Sequence, residues 1–253
     1  MKNDLISIIM PSFNSSGTIS ETLDSIIKQS YLNWELLITD DCSTDNTVSI
    51  IKEYASRDSR IKIYSNLINS GAAVSRNNSI ENANGDFLAF LDSDDLWLPH
   101  KLSKQHSFMK NNNLDFSFTA YELIDGSGLK FGKTVDLQGD ELSFDYFDML
   151  RKKATLGCST VMLRKSAFKD CKMPLIRTGQ DYALWLKLLK QGKRAYLLNK
   201  VLTQYRVLPN SISRNKFKKC KRQWQIYRDF ENLNMYQSSV SFVHYAWRAI
   251  FRR

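Results

Sequence analysis

Short apolar runs alternate with amphipathic stretches through the first hundred residues. "LISIIM" (5–10) is a β-branched run that Pro11 is expected to stop. From a cap at Ser16, the residues Ile19, Leu23, Ile26 and Ile27 share one stripe, which predicts a helix to about Gln29. "WELLIT" (34–39) predicts the next strand, Asp45 an N-cap for a helix reaching Tyr54, and "IKIY" (61–64) a third strand. Gly71 opens a helix to about Asn82, Asn84-Gly85 makes a turn, and "FLAFL" (87–91) is the fourth strand. Strands this apolar, each followed by a stretch of helical period, predict a mostly parallel sheet with helices on both faces, an α/β class.

Past Pro99 the pattern predicts a helix to about Lys110 and an alternating strand over 114–121. Residues 125–142 are rich in Gly and charge and read as an irregular excursion. A strand over 159–164, a helix over 180–192 ended by Gly192, and two short strands, "AYLL" and "LTQYRV", follow. From Asn215 the chain is helical, basic and aromatic. No internal repeat or low-complexity linker appears. The reading is one domain over 1–213, in two halves (1–100 and 101–213), with a helical extension over 214–253.

At 253 residues and 43% apolar content the chain can bury a sizeable core. Cys42, Cys158, Cys171 and Cys220 are scattered without CxxC spacing, which suits a reduced compartment. No signal peptide and no transmembrane segment are expected, because no apolar run approaches 18 residues. Charge changes the picture. Residues 1–100 hold 7 Lys/Arg against 14 Asp/Glu, while the remainder holds 29 against 12. Two surfaces are implied, the basic one facing something anionic. A phospholipid surface and nucleic acid both qualify, but no RNP, KH or helix-turn-helix signature is present, so no nucleic acid is expected.

Ligands of open α/β sheets bind beyond the carboxyl ends of the strands. Pro11, Ser12 and Asn14 follow the first strand, Asp40 and Asp41 end the second, and Asp92, Asp94 and Asp95 end the fourth. Carboxylates packed together raise one another's pKa, and a cation among them relieves the repulsion. Oxygen-only ligands suit Mg²⁺ or Mn²⁺, which complete their shells with substrate phosphates. An EF-hand is excluded, since Leu96 and Trp97 occupy positions that need a ligand and a glycine. Taken singly, each feature has a plainer reading: "DSDD" as a solvated acidic turn, Arg76 as a surface helix arginine, Asp181 as a first-turn aspartate, and Trp97 and Trp185 as core rather than sugar platforms.

The combination is more specific. "SIIMPSFN", "LLITDDCSTDNT", "NSGAAVSRNNSIENANGDFLAFLDSDDLW" and "QDYALWLKL" stand in the order and spacing of family 2 glycosyltransferases. The chain resembles that family over roughly residues 5–210. The resemblance implies the GT-A fold, a Rossmann-like mixed and mostly parallel sheet flanked by helices. It also implies a UDP-sugar donor bound by the first half, an acceptor bound by the second, a Mn²⁺ or Mg²⁺ cofactor, and inversion at the anomeric carbon. By position, Pro11, Ser12 and Asn14 would line the nucleotide pocket, Asp41 with Asp40 beside it would meet the uracil, and Arg76 the base or diphosphate. Asp94 and Asp95 match the ribose and metal carboxylates, Asp92 leads the motif, and Asp181 matches the catalytic base. Gln180 stands where relatives often carry Glu, and Leu208 where many carry His. A QxxRW pattern is absent, which disfavours processive synthesis.

The tail "NKFKKCKRQWQIYR" (215–228) clusters lysines, and "SVSFVHYAWRAIFRR" (239–253) sets Val240, Val243, Trp247 and Ile250 at helical spacing, with His244, Arg248 and Arg252 on another face. A basic amphipathic helix suits an anionic membrane surface, and equally a helix packed on the domain. Within the resembling family such chains resemble O-antigen or capsule repeat-unit enzymes. That implies a hexose, glucose first among candidates, moved to an undecaprenyl-diphosphate-linked sugar (β-1,3 to GlcNAc-diphosphoundecaprenol) at the cytoplasmic face of the bacterial inner membrane. UDP-galactose or UDP-GlcNAc as donor, a nucleotidyltransferase, and a non-catalytic binding module stand as alternatives.

Overall fold

The computed structural model describes residues 4–137, 142–208 and 216–251. Seven elements open the chain: β1 (Ile6–Ser12), α1 (Ile19–Ile27), β2 (Trp34–Asp40), α2 (Thr47–Arg57), β3 (Ile61–Ser65), α3 (Ala72–Glu81) and β4 (Phe87–Phe90). Their strands pair in parallel in the order β3-β2-β1-β4. Next come β5 (Leu96–Trp97), α4 (Lys101–Asn111), β6 (Phe116–Ile124), β7 (Lys130–Val135), β8 (Ser143–Phe144), α5 (Tyr146–Leu150), β9 (Met162–Arg164), α6 (Gln180–Leu189) and β10 (Ala195–Arg206). Strand β9 lies antiparallel between β4 and β6, and β10 runs parallel to β6. The result is the mixed, mostly parallel sheet of the expected α/β class.

Side chains alternate across the sheet, so β1 feeds two cores at once. Ile6, Ile8 and Met10 pack under α1 and α2 with Leu23, Ile26 and Ile51. Ile9 faces the other layer with Leu37, Leu88, Phe90 and the α6 residues Leu184 and Trp185. Both faces are covered, which is why these strands read as continuous apolar runs. Trp185 is fully buried edge-on to Phe90 and Phe116, and Trp97 is buried with its indole N–H on the Ser159 carbonyl, 2.7 Å away. The core reading of both tryptophans holds.

Several boundaries differ from the expectations. Pro11 does not end β1; it pairs with Thr39 inside the strand. Pairing of β1 with β4 has already stopped at Ile9, whose carbonyl accepts from Leu91, so the missing N–H of Pro11 removes no ladder bond. Helix α1 begins at Ile19 with Thr18 at its N-cap, and the Ser16 N–H donates instead to Asp45. The N-cap of α2 is Asn46, with Asp45 accepting from the Thr47 N–H and hydroxyl one step outside. Residues 125–142 are not irregular throughout. Asp125 nucleates a tight turn by accepting from Ser127 and Leu129, and β7 then pairs back on β6. Strand β7 is exposed on both faces and so shows no hydrophobic period. The two late strands are one, β10, interrupted by register shifts between Leu198 and Thr203.

The helical extension comprises α7 (Lys216–Gln225), a π-helical turn (Ile226–Phe230) and α8 (Met235–Phe251). Ile226 and Tyr227 are buried in the same core as Trp185. The boundary read at 213/214, residues 138–141 of the excursion, 209–215 and Arg252 lie outside the described residues.

At the amino ends of the strands, buried Glu35 accepts from the Ser7 hydroxyl (2.7 Å), Lys62 (2.8 Å) and the Asn84 N–H (2.7 Å). Burial alone would raise its pKa, but these donors hold it below the ordinary range. Beside it, Gly85 brings the turn before β4 against β1; a Cβ there would stand 2.6 Å from the Ser7 nitrogen. Gly85→Ala is therefore expected to destabilise the fold by about 1–3 kcal/mol, read as a lowered midpoint in urea denaturation. An unchanged midpoint would mean that β4 has room to shift away from β1.

Candidate active site

The carboxyl ends of β1, β2 and β4 lie side by side, because parallel pairing sets Ser12 opposite Asp40 and Ile9 opposite Phe90. Asp40 and Asp41 leave the end of β2 with different tasks. The Asp40 carboxylate is buried and accepts both the N–H (2.8 Å) and hydroxyl (2.5 Å) of Ser43, closing the loop before α2. Asp41 accepts from Asn66 (2.8 Å), the Ser70 N–H (2.8 Å) and the Gly71 N–H (2.7 Å), so its charge sits at the amino end of α3. Ser12 is buried with its hydroxyl 3.1 Å from that of Ser15. Asn14 is exposed, with φ of 46°, and its side chain accepts from the Thr44 N–H at 2.8 Å. Pro11 and Ser12 therefore shape the backbone of this rim, while Asn14 stands on it.

Arg76 projects from α3 and is buried. Its guanidinium pairs with Asp92 and reaches the Met173 sulfur, and its Nε has no protein partner. Burial opposes its charge, but Asp92, with Cys158 and Asp181, more than offsets this and raises its pKa. An arginine this buried, with one donor still unmet, is suited to an additional anion.

The structure separates the last two aspartates of the motif. Asp94 is half-buried, and its pKa rises to about 6 because burial and the neighbouring Asp92 charge outweigh Arg206 and Arg76. Asp95 is completely buried. One of its oxygens accepts the Ser159 hydroxyl at 2.5 Å and the other the Arg206 N–H at 2.9 Å. Burial, then Asp94 and Asp92, push its pKa well up. Ser159 also accepts the Asp92 N–H at 3.1 Å, so one hydroxyl ties both ends of the loop to the turn before β9.

Arg206, at the end of β10, was not among the residues singled out from the sequence. Its Nε donates to the Asp94 carbonyl (2.8 Å), one terminal nitrogen to the Gly126 carbonyl (2.8 Å), and the other to Glu21 (2.5 Å). Asn66, Ser159 and Cys158 were missed as well. Only Arg206 left a trace, since it lies two residues before Leu208, the position where many relatives carry His. Polar residues on turns carry no periodicity that would mark them.

Asp181 stands in the first turn of α6, after Gly179 in the left-handed region (φ 73°). Burial raises its pKa, opposed by the Tyr182 N–H and by the charges of Arg76 and Lys152, while Asp92 adds to the rise. Asp181 thus shares one electrostatic neighbourhood with Arg76 and Asp92. Cys158 completes it: its thiol pKa is pushed well up by burial, and Arg76, Asp92, Asp181 and Asp95 all act on it. Gln180 is buried with its Oε1 unpartnered.

A divalent ion fits this arrangement through few protein ligands. Among the described residues no three His, Cys, Asp or Glu side chains converge into an all-protein cage. Mg²⁺ and Mn²⁺ do not require one, because substrate phosphates and water fill most of their shell. Asp94, half-buried beside Asp92 with its pKa raised by burial and then by the Asp92 charge, is an oxygen donor that gains from a cation.

The model of the family described as Glycosyl transferase family 2 matches residues 7–171. Bacillus subtilis TuaG, named as a teichuronic acid biosynthesis glycosyltransferase, is 43% identical over 98% of this chain and 97% of its own. Escherichia coli WfgD, named as a UDP-Glc:alpha-D-GlcNAc-diphosphoundecaprenol beta-1,3-glucosyltransferase, is 42% identical over 91% of this chain and 88% of its own. Among solved structures, S. aureus TarS in complex with UDP superimposes with a TM-score of 0.73 at 22% identity, covering 96% of this chain and 71% of that one. The mannosyltransferase PcManGT from Pyrobaculum calidifontis, in complex with GDP-Man and Mn²⁺, gives 0.66 at 15% identity, covering 97% and 75%. The fold is the GT-A arrangement, and the chain belongs to glycosyltransferase family 2.

Proposed function

We propose that this glycosyltransferase moves glucose from UDP-glucose, with inversion, to the 3-hydroxyl of GlcNAc-diphosphoundecaprenol during surface-polysaccharide synthesis. The observation that carries this reading is the near full-length similarity to WfgD, whose name states that donor, acceptor and linkage. A second E. coli enzyme of the same description, WfaP, is 35% identical over 98% of this chain. TuaG is as similar and favours a second reading, the same class of transfer within a teichuronic acid pathway. Release of UDP from a panel of UDP-sugars with synthetic diphosphate-lipid acceptors separates the two.

In this reading the nucleotide lies on the rim formed by Ser12, Asn14, Asp40 and Asp41, with Arg76 and its unmet Nε turned to the diphosphate. Asp94 holds the Mn²⁺ or Mg²⁺, Asp92 meets the ribose while pairing Arg76, and buried Asp95 fixes the loop instead of ligating directly. When bound there, such an ion would supply positive charge that offsets the charge growing on the departing diphosphate. Asp181 takes the proton of the attacking hydroxyl; its raised pKa makes it a stronger base than an ordinary aspartate.

The membrane contact is assigned to α8 at the cytoplasmic face of the inner membrane. Tyr236, Val240, Val243 and Trp247 recur at helical spacing on its outer side, and Trp247 is 60% exposed. Residues 214–253 hold ten Lys/Arg against two Asp/Glu, which suits anionic headgroups. Among the described residues no helix is long and apolar enough to cross a membrane.

Asp181→Asn is expected to bind UDP as the unchanged chain does and to lose transfer by ~10²–10⁴-fold. In the unchanged chain kcat should fall with decreasing pH at a higher pH than an ordinary aspartate would dictate, because the base works only when ionised. Wild-type turnover by the Asn variant would place the base elsewhere. A second outcome concerns the ion: Mn²⁺ affinity measured by calorimetry in the presence of UDP should weaken below about pH 6, where Asp94 takes up its proton, and Asp94→Asn should abolish it. Undiminished Mn²⁺ binding by that variant would remove the assignment. On vesicles containing anionic lipid, replacing Val240, Val243 and Trp247 together by Ser should weaken co-sedimentation by at least about tenfold; equal binding would leave the stripe without a lipid role.

A further inference from the structure

The extension grips α6 at both ends. At the amino end, Arg222 donates to the Thr178 carbonyl at 2.7 Å. Gly179, next in sequence, holds a left-handed conformation, and a Cβ there would stand 3.1 Å from the Ile226 methyl and 3.7 Å from the Arg222 stem. Ile226 is buried against this turn. Tyr182, one residue past Asp181, interacts with Tyr227 and Gln223, and its hydroxyl donates to the Met149 carbonyl at 2.9 Å. The Tyr227 hydroxyl donates to the neighbouring Leu150 carbonyl at 3.0 Å. At the carboxyl end of α6, Lys190 pairs with buried Glu231 at 3.2 Å, and Glu231 also accepts the Tyr146 hydroxyl at 2.8 Å. Farther along, Arg248 of α8 donates to the Lys152 and Lys153 carbonyls, and the Lys152 ammonium lies 3.1 Å from the Tyr182 ring centroid.

A membrane anchor alone needs none of this. It needs an exposed stripe and cations, which α8 carries on its outer side. The inner side of the extension is instead built around one turn, Thr178–Gly179–Gln180–Asp181, whose Thr178 carbonyl accepts from Arg222 and whose Gly179 lies against Ile226. Within the turn Gly179 has no side chain, and buried Gln180 leaves its Oε1 unpartnered.

We propose that Arg222 and Ile226 are positioning residues for Asp181, making the extension part of the catalytic unit. This rests on Asp181 being the base, as argued above. Arg222 fixes the Thr178 carbonyl, and Ile226 fills the space over Gly179. Together they set the direction in which α6 starts, and so where the Asp181 carboxylate stands relative to the acceptor hydroxyl. A displacement of about 1 Å at such a point costs up to ~10²-fold in rate.

The test compares Ile226→Ala, Arg222→Ala, Arg222→Lys and Asp181→Asn in the full-length chain, with kcat, donor KM and UDP affinity measured for each. Both alanine variants are expected to lower kcat by ~10- to 100-fold with donor KM and UDP affinity within about twofold of the unchanged chain. Arg222→Lys, which keeps one donor to the Thr178 carbonyl, should recover most of kcat. A variant that merely loosened the fold would lose UDP binding and KM together and would not distinguish Lys from Ala. If Ile226→Ala proves too unstable to purify, Ile226→Val removes a single methylene and should show a smaller drop of the same kind. Unchanged kcat in Ile226→Val and Arg222→Ala, with Asp181→Asn inactive, would overturn the positioning role while leaving the base in place. An active Asp181→Asn would instead remove the base, and the positioning role with it.

Discussion

Three carboxylates within four residues at the buried end of a strand set the problem that the rest of this structure answers. Two like charges 4 Å apart repel by roughly 4 kcal/mol at an effective dielectric of about 20, and burial adds to the cost. The pKa of Asp94 at about 6, and the stronger rise at Asp95, are the residue of that problem after the protein has compensated what it can. Compensation comes from two buried arginines. Arg76 arrives on α3 from the first half and pairs with Asp92; Arg206 arrives on β10 from the second and ties the Asp94 carbonyl, the Asp95 carboxylate through its own N–H, and Glu21. The acidic loop is thus not a property of the nucleotide-binding half alone. Its conformation waits on β9, β10 and the Ser159 turn, and removing one partner of a buried pair of this type costs about 3–5 kcal/mol.

What the sequence revealed follows the same division. The four parallel strands and their helices were legible because strands covered on both faces are apolar at every position, and the stripe of Ile19, Leu23 and Ile26 has no other explanation. The carboxylates were legible because they end apolar runs. Pro11 misled, since its cost depends on whether a neighbouring strand still needs its N–H, and that is a matter of register. Strand β7 was invisible, for a strand exposed on both faces has no hydrophobic period to show. Arg206, Ser159 and Asn66 were invisible for another reason. Each acts by hydrogen bonds to residues 25 or 111 or 64 positions away, and nothing local distinguishes them from any polar residue near a turn. The motif pattern located Asp94 and Asp95 together, but only the fold shows one at the rim and the other sealed beneath it.

The charge asymmetry of the chain is consistent with this arrangement. An acidic first half is a poor partner for a diphosphate unless positive charge is placed inside it; Arg76, with an unmet Nε, supplies one such charge, and in the proposed function a divalent ion at Asp94 would supply another. In that reading both would place positive charge where leaving-group charge grows, instead of spreading it over the surface. The excess of Lys and Arg lies beyond residue 100, divided between residues 101–213 (19 against 10 Asp/Glu) and the extension (10 against 2), where in the proposed function an anionic acceptor headgroup and membrane would meet it.

The extension then has two faces with opposite demands. Its outer stripe of Tyr236, Val240, Val243 and Trp247 is exposed, and its inner side, Ile226, Tyr227 and Glu231, is as buried as any residue of the main domain. A helix held only by lipid would shift with the bilayer, and the turn it touches, with Asp181, would shift with it. The bonds from Arg222 to Thr178 and from Glu231 to Lys190 and Tyr146 prevent that by binding the extension to both ends of α6. In the proposed function, contact of α8 with a membrane on one side and a held Asp181 on the other would be compatible, and the link between them would set the height above the bilayer at which an acceptor hydroxyl meets the base.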